Sequence, residues 1–447
     1  MPKLEVQIGN FGIKVFLERR SMATRKAGLK DDEVRNKDGA WPRCEESEPV
    51  KRDGLITKVR NLVSRRRFIA AAGSAAASLP FFRAGEESAE AADKNDSGPI
   101  VIAKQGSFFV GGTEITTPGT FDPNHPSGPG ATYHIDHMYM QFQTPPKARQ
   151  YPIVMTHGTN QTAKTFESTP DGRDGFQTIF LRRGFSVYLN DHPRRARAGF
   201  PSFNGTLGNL AGKQIVPDNT TRPSAQQAFV LWRLGPEYPN FYPNTQFPKE
   251  GLEQFLRQSI PNVGDYNMPE QFPGVVTSAF VALLDKIGPA IMMPHSMSGP
   301  YAMLAAMRSS KVKAIYGYEP AQYIFPKGEP RPEFHSSDGS IYRTDTYEVP
   351  LEDFLKLTKI PICIVYGDNI PASPDPLMVR DARRGQRTAA KLFVEALQRH
   401  GGDATFVSLP EIGIHGNGHF MFFDRNNVQI ADLVSKWLHD KGLDKRG

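Results

Sequence analysis

The sequence predicts an α/β protein with a mostly parallel central sheet and helices on both faces. Two observations carry that expectation. Short, nearly continuous apolar runs of strand length recur from about residue 93 onward. Longer amphipathic stretches separate them. Strands that are apolar at successive positions are buried on both faces, as in a parallel sheet, whereas a half-solvated strand alternates.

The elements follow in order. Residues 138–143 alternate, with Met138, Met140 and Phe142 on one face and Tyr139, Gln141 and Gln143 on the other, which predicts an early, half-exposed strand. Strand-length apolar runs lie at 151–156, 185–190, 290–293, 312–318, 360–366 and 404–409. Helical patterns lie between or after them. Residues 175–183 carry Phe176, Ile179 and Phe180 and stop at Gly184; 275–287 carry Phe280, Leu283 and Leu284. Residues 301–308 follow a Gly-Pro start, 388–399 carry Leu392, Phe393 and Leu397 before Gly401-Gly402, and 428–438 carry Val434, Trp437 and Leu438. Residues 201–274 break the pattern, being rich in Pro, Asn, Gln and aromatics such as Trp232, Tyr238, Phe241 and Phe255. That is too long for a plain connection, so it reads as an insertion covering one end of the sheet, a lid.

Composition bounds the rest. Of 447 residues 39% are apolar and 23% charged, enough for a core and too little apolar material for a multi-span membrane protein. Two cysteines, Cys44 and Cys363, exclude a disulfide-rich scaffold and a cysteine-built metal centre. The chain is formally +7, but residues 1–92 hold 18 Lys/Arg against 13 Asp/Glu, so most of the excess sits in this N-terminal stretch. The body lacks the basic surface that nucleic acid requires.

Residues 64–69 read Ser-Arg-Arg-Arg-Phe-Ile, an apolar stretch of small residues runs over 70–82, and Ala89-Glu90-Ala91 supplies a small-residue cleavage site. Basic head, apolar middle and A-x-A site make an export signal. The arginine pair resembles the twin-arginine type, which implies the twin-arginine export machinery as a partner and a periplasmic or secreted mature protein. The apolar run is too short to span a bilayer, so no stable membrane span is expected after processing. Residues 1–92 are therefore read as a removable leader and 93–447 as the mature domain. The long charged stretch before the arginines suggests a translation start later than Met1. Cleavage would remove Cys44 and leave Cys363 alone.

Residues 291–301 read Ile-Met-Met-Pro-His-Ser-Met-Ser-Gly-Pro-Tyr: an apolar strand, a sharp turn, then a helix. A serine on such a turn is held in a strained backbone and pushed clear of the sheet, and the new helix aims its N–H groups at a nascent oxyanion. Here the chain resembles the α/β-hydrolase family, whose elbow often reads Gly-His-Ser-Met-Gly-Gly. The match makes Ser296 the nucleophile, with Pro294 and Ser298 in place of two glycines. A shifted register would make Ser298 the nucleophile instead.

Residues 151–161, Tyr-Pro-Ile-Val-Met-Thr-His-Gly-Thr-Asn-Gln, end a strand in His-Gly. In the family this loop carries an oxyanion donor, which implies the N–H of Thr159 or Asn160 together with that of Met297. Residues 411–425 follow the last strand, where the family keeps its catalytic histidine. Gly-Asn-Gly-His-Phe favours His419, with His415 as runner-up. The pair is not read as a metal site, because Gly416 and Gly418 oppose a helix and no third ligand is apparent. His134-Ile-Asp136-His137 is read as structural, since a strand points the two histidines to opposite faces.

The triad acid is Glu319, in Tyr-Glu-Pro, or Asp368, in Tyr-Gly-Asp-Asn. A bacterial esterase subgroup places a Glu after the earlier strand. This chain resembles it in residues 156–167, 169–173, 318–320 and 415–419, which favours Glu319. The chain order Ser296, Glu319, His419 fits the family.

These readings imply an exported serine hydrolase that cleaves a small-molecule carboxylic ester through an acyl-enzyme, with no metal or organic cofactor. A lactonase, amidase or acyltransferase would use the same triad, and an inactive binding protein on this fold is the alternative from another class. The aromatic insertion points towards an apolar or aromatic substrate. Arg194, Arg195 and Arg197 could meet an anionic group, but a solvated loop is the preferred reading.

Overall fold

The computed structural model describes residues 98–447, apart from 204, 217, 219, 264–270, 330–332, 336, 338–340 and 344–345. The leader, with its arginine motif and cleavage site, lies outside the described residues.

An eight-stranded sheet organises the domain. Its strands are β1 (Lys104–Thr116), β2 (Thr132–Thr144), β3 (Ile153–Thr156), β4 (Val187–Asp191), β5 (Ala290–Pro294), β6 (Val312–Tyr318), β7 (Ile362–Tyr366) and β8 (Ala404–Ser408). They lie in the order β1-β2-β4-β3-β5-β6-β7-β8. β1 and β2 form an antiparallel edge, β2 meets β4 antiparallel, and every pairing from β4 to β8 is parallel.

The expected burial on both faces is present. Along β5, Ala290 and Met292 enter one core, while Ile291 and Met293 enter the other. β7 divides likewise, with Ile362 and Ile364 on one side and Cys363 and Val365 on the other. This is the two-residue period of a strand between two helical layers.

Six helices matter for the site: α1 (Phe176–Arg182), α2 (Ala225–Leu231), α3 (Gln271–Ile287), α4 (Ser298–Arg308), α5 (Met378–Arg399) and α6 (Asn427–Asp440). α3, α4 and α5 cover one face and α1 and α6 the other. α6 buries Ile430, Val434 and Leu438 at four-residue spacing, one stripe of a helix. Among the described residues no helix is long and apolar enough to cross a membrane.

The insertion at 201–274 contains short two-residue strands, α2 and the helix Leu252–Arg257. Its aromatics are spent on packing: Phe229, Trp232, Phe247 and Phe255 are buried in the core that also holds Phe420. Asn160 Nδ2 donates to the carbonyls of Thr221 (2.8 Å) and Ile260 (3.0 Å), and the N–H of Gln246 donates to the Gly416 carbonyl (2.8 Å). The insertion is thus stitched to the loops after β3 and β8.

The arginines at 194–197 are not a solvated loop. Arg194 is buried and grips Asp136 with two bonds of 2.7 and 2.8 Å, Arg195 is fully buried, and Arg197 pairs with Asp191 at 2.6 Å. Paired acids on β2 and β4 draw this segment inward. His134 faces Glu114 at 3.4 Å on the antiparallel edge.

Candidate active site

Strand β5 delivers the elbow. All five of its residues are buried. Pro294 has no N–H to donate, yet the ladder continues through the His295 N–H, which donates to the Thr156 carbonyl at 2.9 Å. Ser296 then turns left-handed (φ 54°), and α4 begins two residues later. For a non-glycine residue that conformation costs on the order of 1 kcal/mol or more and persists only where its surroundings impose it. Here the Ser296 N–H donates to the Tyr318 carbonyl at 2.9 Å, and its own carbonyl accepts from Gly299 (3.0 Å) and Ala321 (2.9 Å). Asn160 (φ 57°), Arg233 (φ 57°), Glu319 (φ 43°) and Asn369 (φ 59°) are left-handed as well, all at or near the same end of the sheet.

Two glycines fix the approach of neighbouring segments. A Cβ on Gly158 would stand 2.8 Å from Ser296 Cβ, so the loop after β3 passes directly against the serine. A Cβ on Gly299 would stand 2.3 Å from Pro320 Cβ, so α4 packs on the turn that carries Glu319.

Among the described residues, neither the Met297 N–H nor the Thr159 N–H has an acceptor within the chain. The Asn160 N–H is committed to Asn262 Oδ1 at 3.0 Å. Asn160 is therefore corrected from an oxyanion candidate to a tether of the insertion, which leaves Thr159 as the loop candidate. Ser298, the alternative nucleophile, is fully buried. Its hydroxyl accepts from Thr156 Oγ1 (2.7 Å), lies 3.1 Å from His192 Nε2 and donates to the His157 carbonyl. It ties α4 to the end of β3.

The loop after β8 brings His419 to Glu319. Nδ1 of His419 donates to Glu319 Oε2 at 2.5 Å, and both side chains are about 1% exposed. The His419 N–H donates to the Trp232 carbonyl at 3.1 Å. His295, next to the serine, packs on His419 with ring centroids 4.5 Å apart, and its Nε2–H donates to the His419 carbonyl at 3.0 Å. The Ser296 turn and Glu319 thus lie at the carboxyl ends of β5 and β6, and His419, on the loop after β8, bonds Glu319 and packs on His295 beside the serine.

The carboxylate is held on every side. Gly367 N–H donates to Glu319 Oε1 at 2.8 Å, Arg233 Nη1 donates to Oε2 at 2.9 Å, and Arg233 Nη2 donates to Oε1. Burial alone would raise the Glu319 carboxyl, but the Arg233 guanidinium and His419 outweigh it and hold it well below the usual carboxylate range. Burial pulls His419 down to about 4; Arg383 and Arg233 pull the same way, against Glu319. The resting imidazole is therefore neutral through the neutral pH range, the form that can take a proton.

Asp368, the alternative acid, is elsewhere engaged. Its Oδ2 accepts from the Gly416 N–H (2.8 Å) and Asn244 Nδ2 (3.1 Å), and its own N–H donates to the Asn417 carbonyl at 2.7 Å. The histidine it faces is His415, at 3.6 Å, which is mostly exposed. It shapes the loop that presents His419. Asp424 does so too, accepting from Asn417 Nδ2 at 2.8 Å, and burial lifts its carboxyl to about 7.

Sequence reading missed Arg233 altogether. The one signal was a lone arginine inside the apolar, aromatic run Phe229-Val-Leu-Trp-Arg-Leu234, where a charge needs a buried partner.

A serine on a strand–turn–helix elbow, with a carboxylate and a histidine on later strand ends of a mostly parallel sheet, is the α/β-hydrolase arrangement. The probable secreted lipase phiG of Fungal sp. (strain ATCC 74256) is 30% identical over 337 residues, covering 69% of this chain and 87% of that protein. The solved structure of a novel bacterial esterase is 30% identical with a TM-score of 0.62, covering 77% of this chain and 98% of that one. No protein-family model matches the chain. The chain belongs to the esterase/lipase-like α/β-hydrolases.

Proposed function

We propose that the protein is an exported serine hydrolase that cleaves carboxylic esters. Ser296 is the nucleophile, His419 the base and Glu319 the acid. His419 Nε2 takes the Ser296 proton as the oxygen attacks the ester carbonyl. The N–H groups of Met297 and Thr159 receive the oxyanion. The imidazolium then protonates the leaving alcohol, an acyl-serine forms, and water activated by the same histidine releases the acid. Glu319 orients the imidazole and stabilises its charged form. No metal or organic cofactor enters these steps.

The observation that carries this reading is the buried 2.5 Å bond between His419 Nδ1 and Glu319 Oε2 beside the left-handed Ser296 elbow. It leaves Nε2 as the ring nitrogen for proton transfer. The relatives named a lipase and an esterase support the ester as substrate. Export rests on the twin-arginine-type leader and on the relative named as secreted.

Hydrolysis of p-nitrophenyl esters of graded chain length tests the activity. Ser296→Ala should lower turnover by about 10⁴-fold or more. Turnover that survives this substitution would remove Ser296 from the chemistry.

A further inference from the structure

We propose that Arg233, in the insertion, is a positioning residue of the active site: its guanidinium fixes the Glu319 carboxylate and sets the proton affinity of the His419–Glu319 pair. This rests on the triad reading above. Helix α2 ends in a Schellman pattern, in which the Leu234 N–H donates to the Phe229 carbonyl (3.0 Å) and the Arg233 N–H to the Val230 carbonyl (3.1 Å). The left-handed position of that pattern normally belongs to glycine. Here Arg233 occupies it with φ 57°. The strained backbone turns the guanidinium into the domain, where it is 1% exposed.

All three guanidinium nitrogens are used. Nη1 and Nη2 fork onto the two oxygens of Glu319, and Nε donates to the Asp368 carbonyl at 2.9 Å. The preceding residue offers its carbonyl to the His419 N–H at 3.1 Å. The one before that, Leu231, is held by Arg383 of α5 through two bonds of 3.1 and 3.2 Å. One turn of the insertion thus touches both the acid and the base. A fork on a carboxylate fixes its plane as well as its place, which an ammonium would not do.

The electrostatic consequence has a definite sign. Arg233 offsets part of the Glu319 charge, so His419 is less basic than a bare carboxylate partner would make it. The other ionisable groups acting on the His419–Glu319 pair are Arg383 and His295 on His419, and Arg387 from α5, Tyr323 and Tyr366 on Glu319, while Asp368 and Asp424 brace the loop. None of them bonds both oxygens of Glu319.

The test measures kcat and the acid limb of kcat/KM on a p-nitrophenyl ester, in short assays after a pH jump from neutral, for wild type, Arg233→Met, Arg233→Lys and Ser296→Ala. Arg233→Met should lower kcat at least about tenfold and move the acid limb up by about one pH unit, because the imidazole loses a cationic neighbour. Arg233→Lys should keep the wild-type acid limb but not the wild-type kcat. A folded Arg233→Met whose acid limb stays put or moves down overturns the proposal. Should Arg233→Met fail to fold, wild-type kcat in Arg233→Lys overturns it instead. Turnover in Ser296→Ala would defeat the triad reading itself, whatever the Arg233 variants do.

Discussion

Alanine at position 158 is a small change with a large expected effect. Its methyl carbon would lie 2.8 Å from Ser296 Cβ and 2.9 Å from His295 Nδ1, against a normal contact of about 3.5 Å or more. Neither neighbour can retreat. The Ser296 backbone is tied to Tyr318, Gly299 and Ala321, and His295 Nε2–H is tied to the His419 carbonyl at 3.0 Å. The loop at 157–160 must move instead. Overpacking of this kind costs about 1–3 kcal/mol of stability. The same displacement carries the Thr159 N–H away from the serine, and losing one oxyanion donor costs about 10²–10³ in turnover. Thermal unfolding and steady-state turnover of Gly158→Ala on p-nitrophenyl acetate read both quantities. A lowered Tm with kcat down at least about a hundredfold and KM little changed is expected. Wild-type kcat in a protein of wild-type Tm would refute the placement of this loop over Ser296.

Three further expectations follow from the same geometry. Glu319→Gln should reduce turnover far more than Asp368→Asn, since Glu319 bonds His419 and Asp368 bonds Gly416 and Asn244; steady-state kinetics with the order reversed would exchange their roles. Burial lowers His157 and His419 to about 4 and holds His192 and His295 well below their usual value. Because the unfolded chain takes up these protons first, stability should be full above about pH 6.5 and fall towards pH 4, by roughly 2 kcal/mol at pH 5 for each of His157 and His419, with His192 and His295 acting in the same direction. Asp424, raised to about 7, works in the opposite direction and cancels only part of this; a Tm at pH 5 equal to that at pH 7 would contradict it. Ser298→Ala should lower turnover while leaving Ser296 labelled by a fluorophosphonate, because the Ser298 hydroxyl steadies the His157 carbonyl; loss of labelling alone would instead make Ser298 the reacting residue.

Strands of the parallel sheet were legible because burial on both faces demands unbroken apolar runs, and all five residues of β5 and of β7 are buried. β1 was not legible. It is an edge strand with glycines at 106, 111 and 112, exposed along most of its length with only Val110 buried, so no apolar alternation marks it. The apolar pattern of α5 is readable only from 388 onward, whereas the helix begins at Met378; its first turns are arginine-rich, and partners such as the Leu231 carbonyl for Arg383 come from distant segments. The same limit explains the site. The motifs that single out Ser296, His419 and Glu319 as candidates are local, being a strand-to-helix turn and two strand-end loops. Arg233 sits 86 residues from Glu319 in sequence, and no local pattern announces that they meet. The arginines at 194–197 were misread for that reason too: Asp136 lies 58 residues before Arg194.

The central claim is that one hydroxyl, that of Ser296, is made nucleophilic by His419. Treating the folded protein with a fluorophosphonate and mapping the adduct by peptide mass spectrometry tests it directly. Phosphonylation on Ser296, abolished by His419→Ala as well as by Ser296→Ala, is the predicted result. An adduct on another residue, or one on Ser296 that forms at the wild-type rate without His419, would contradict it.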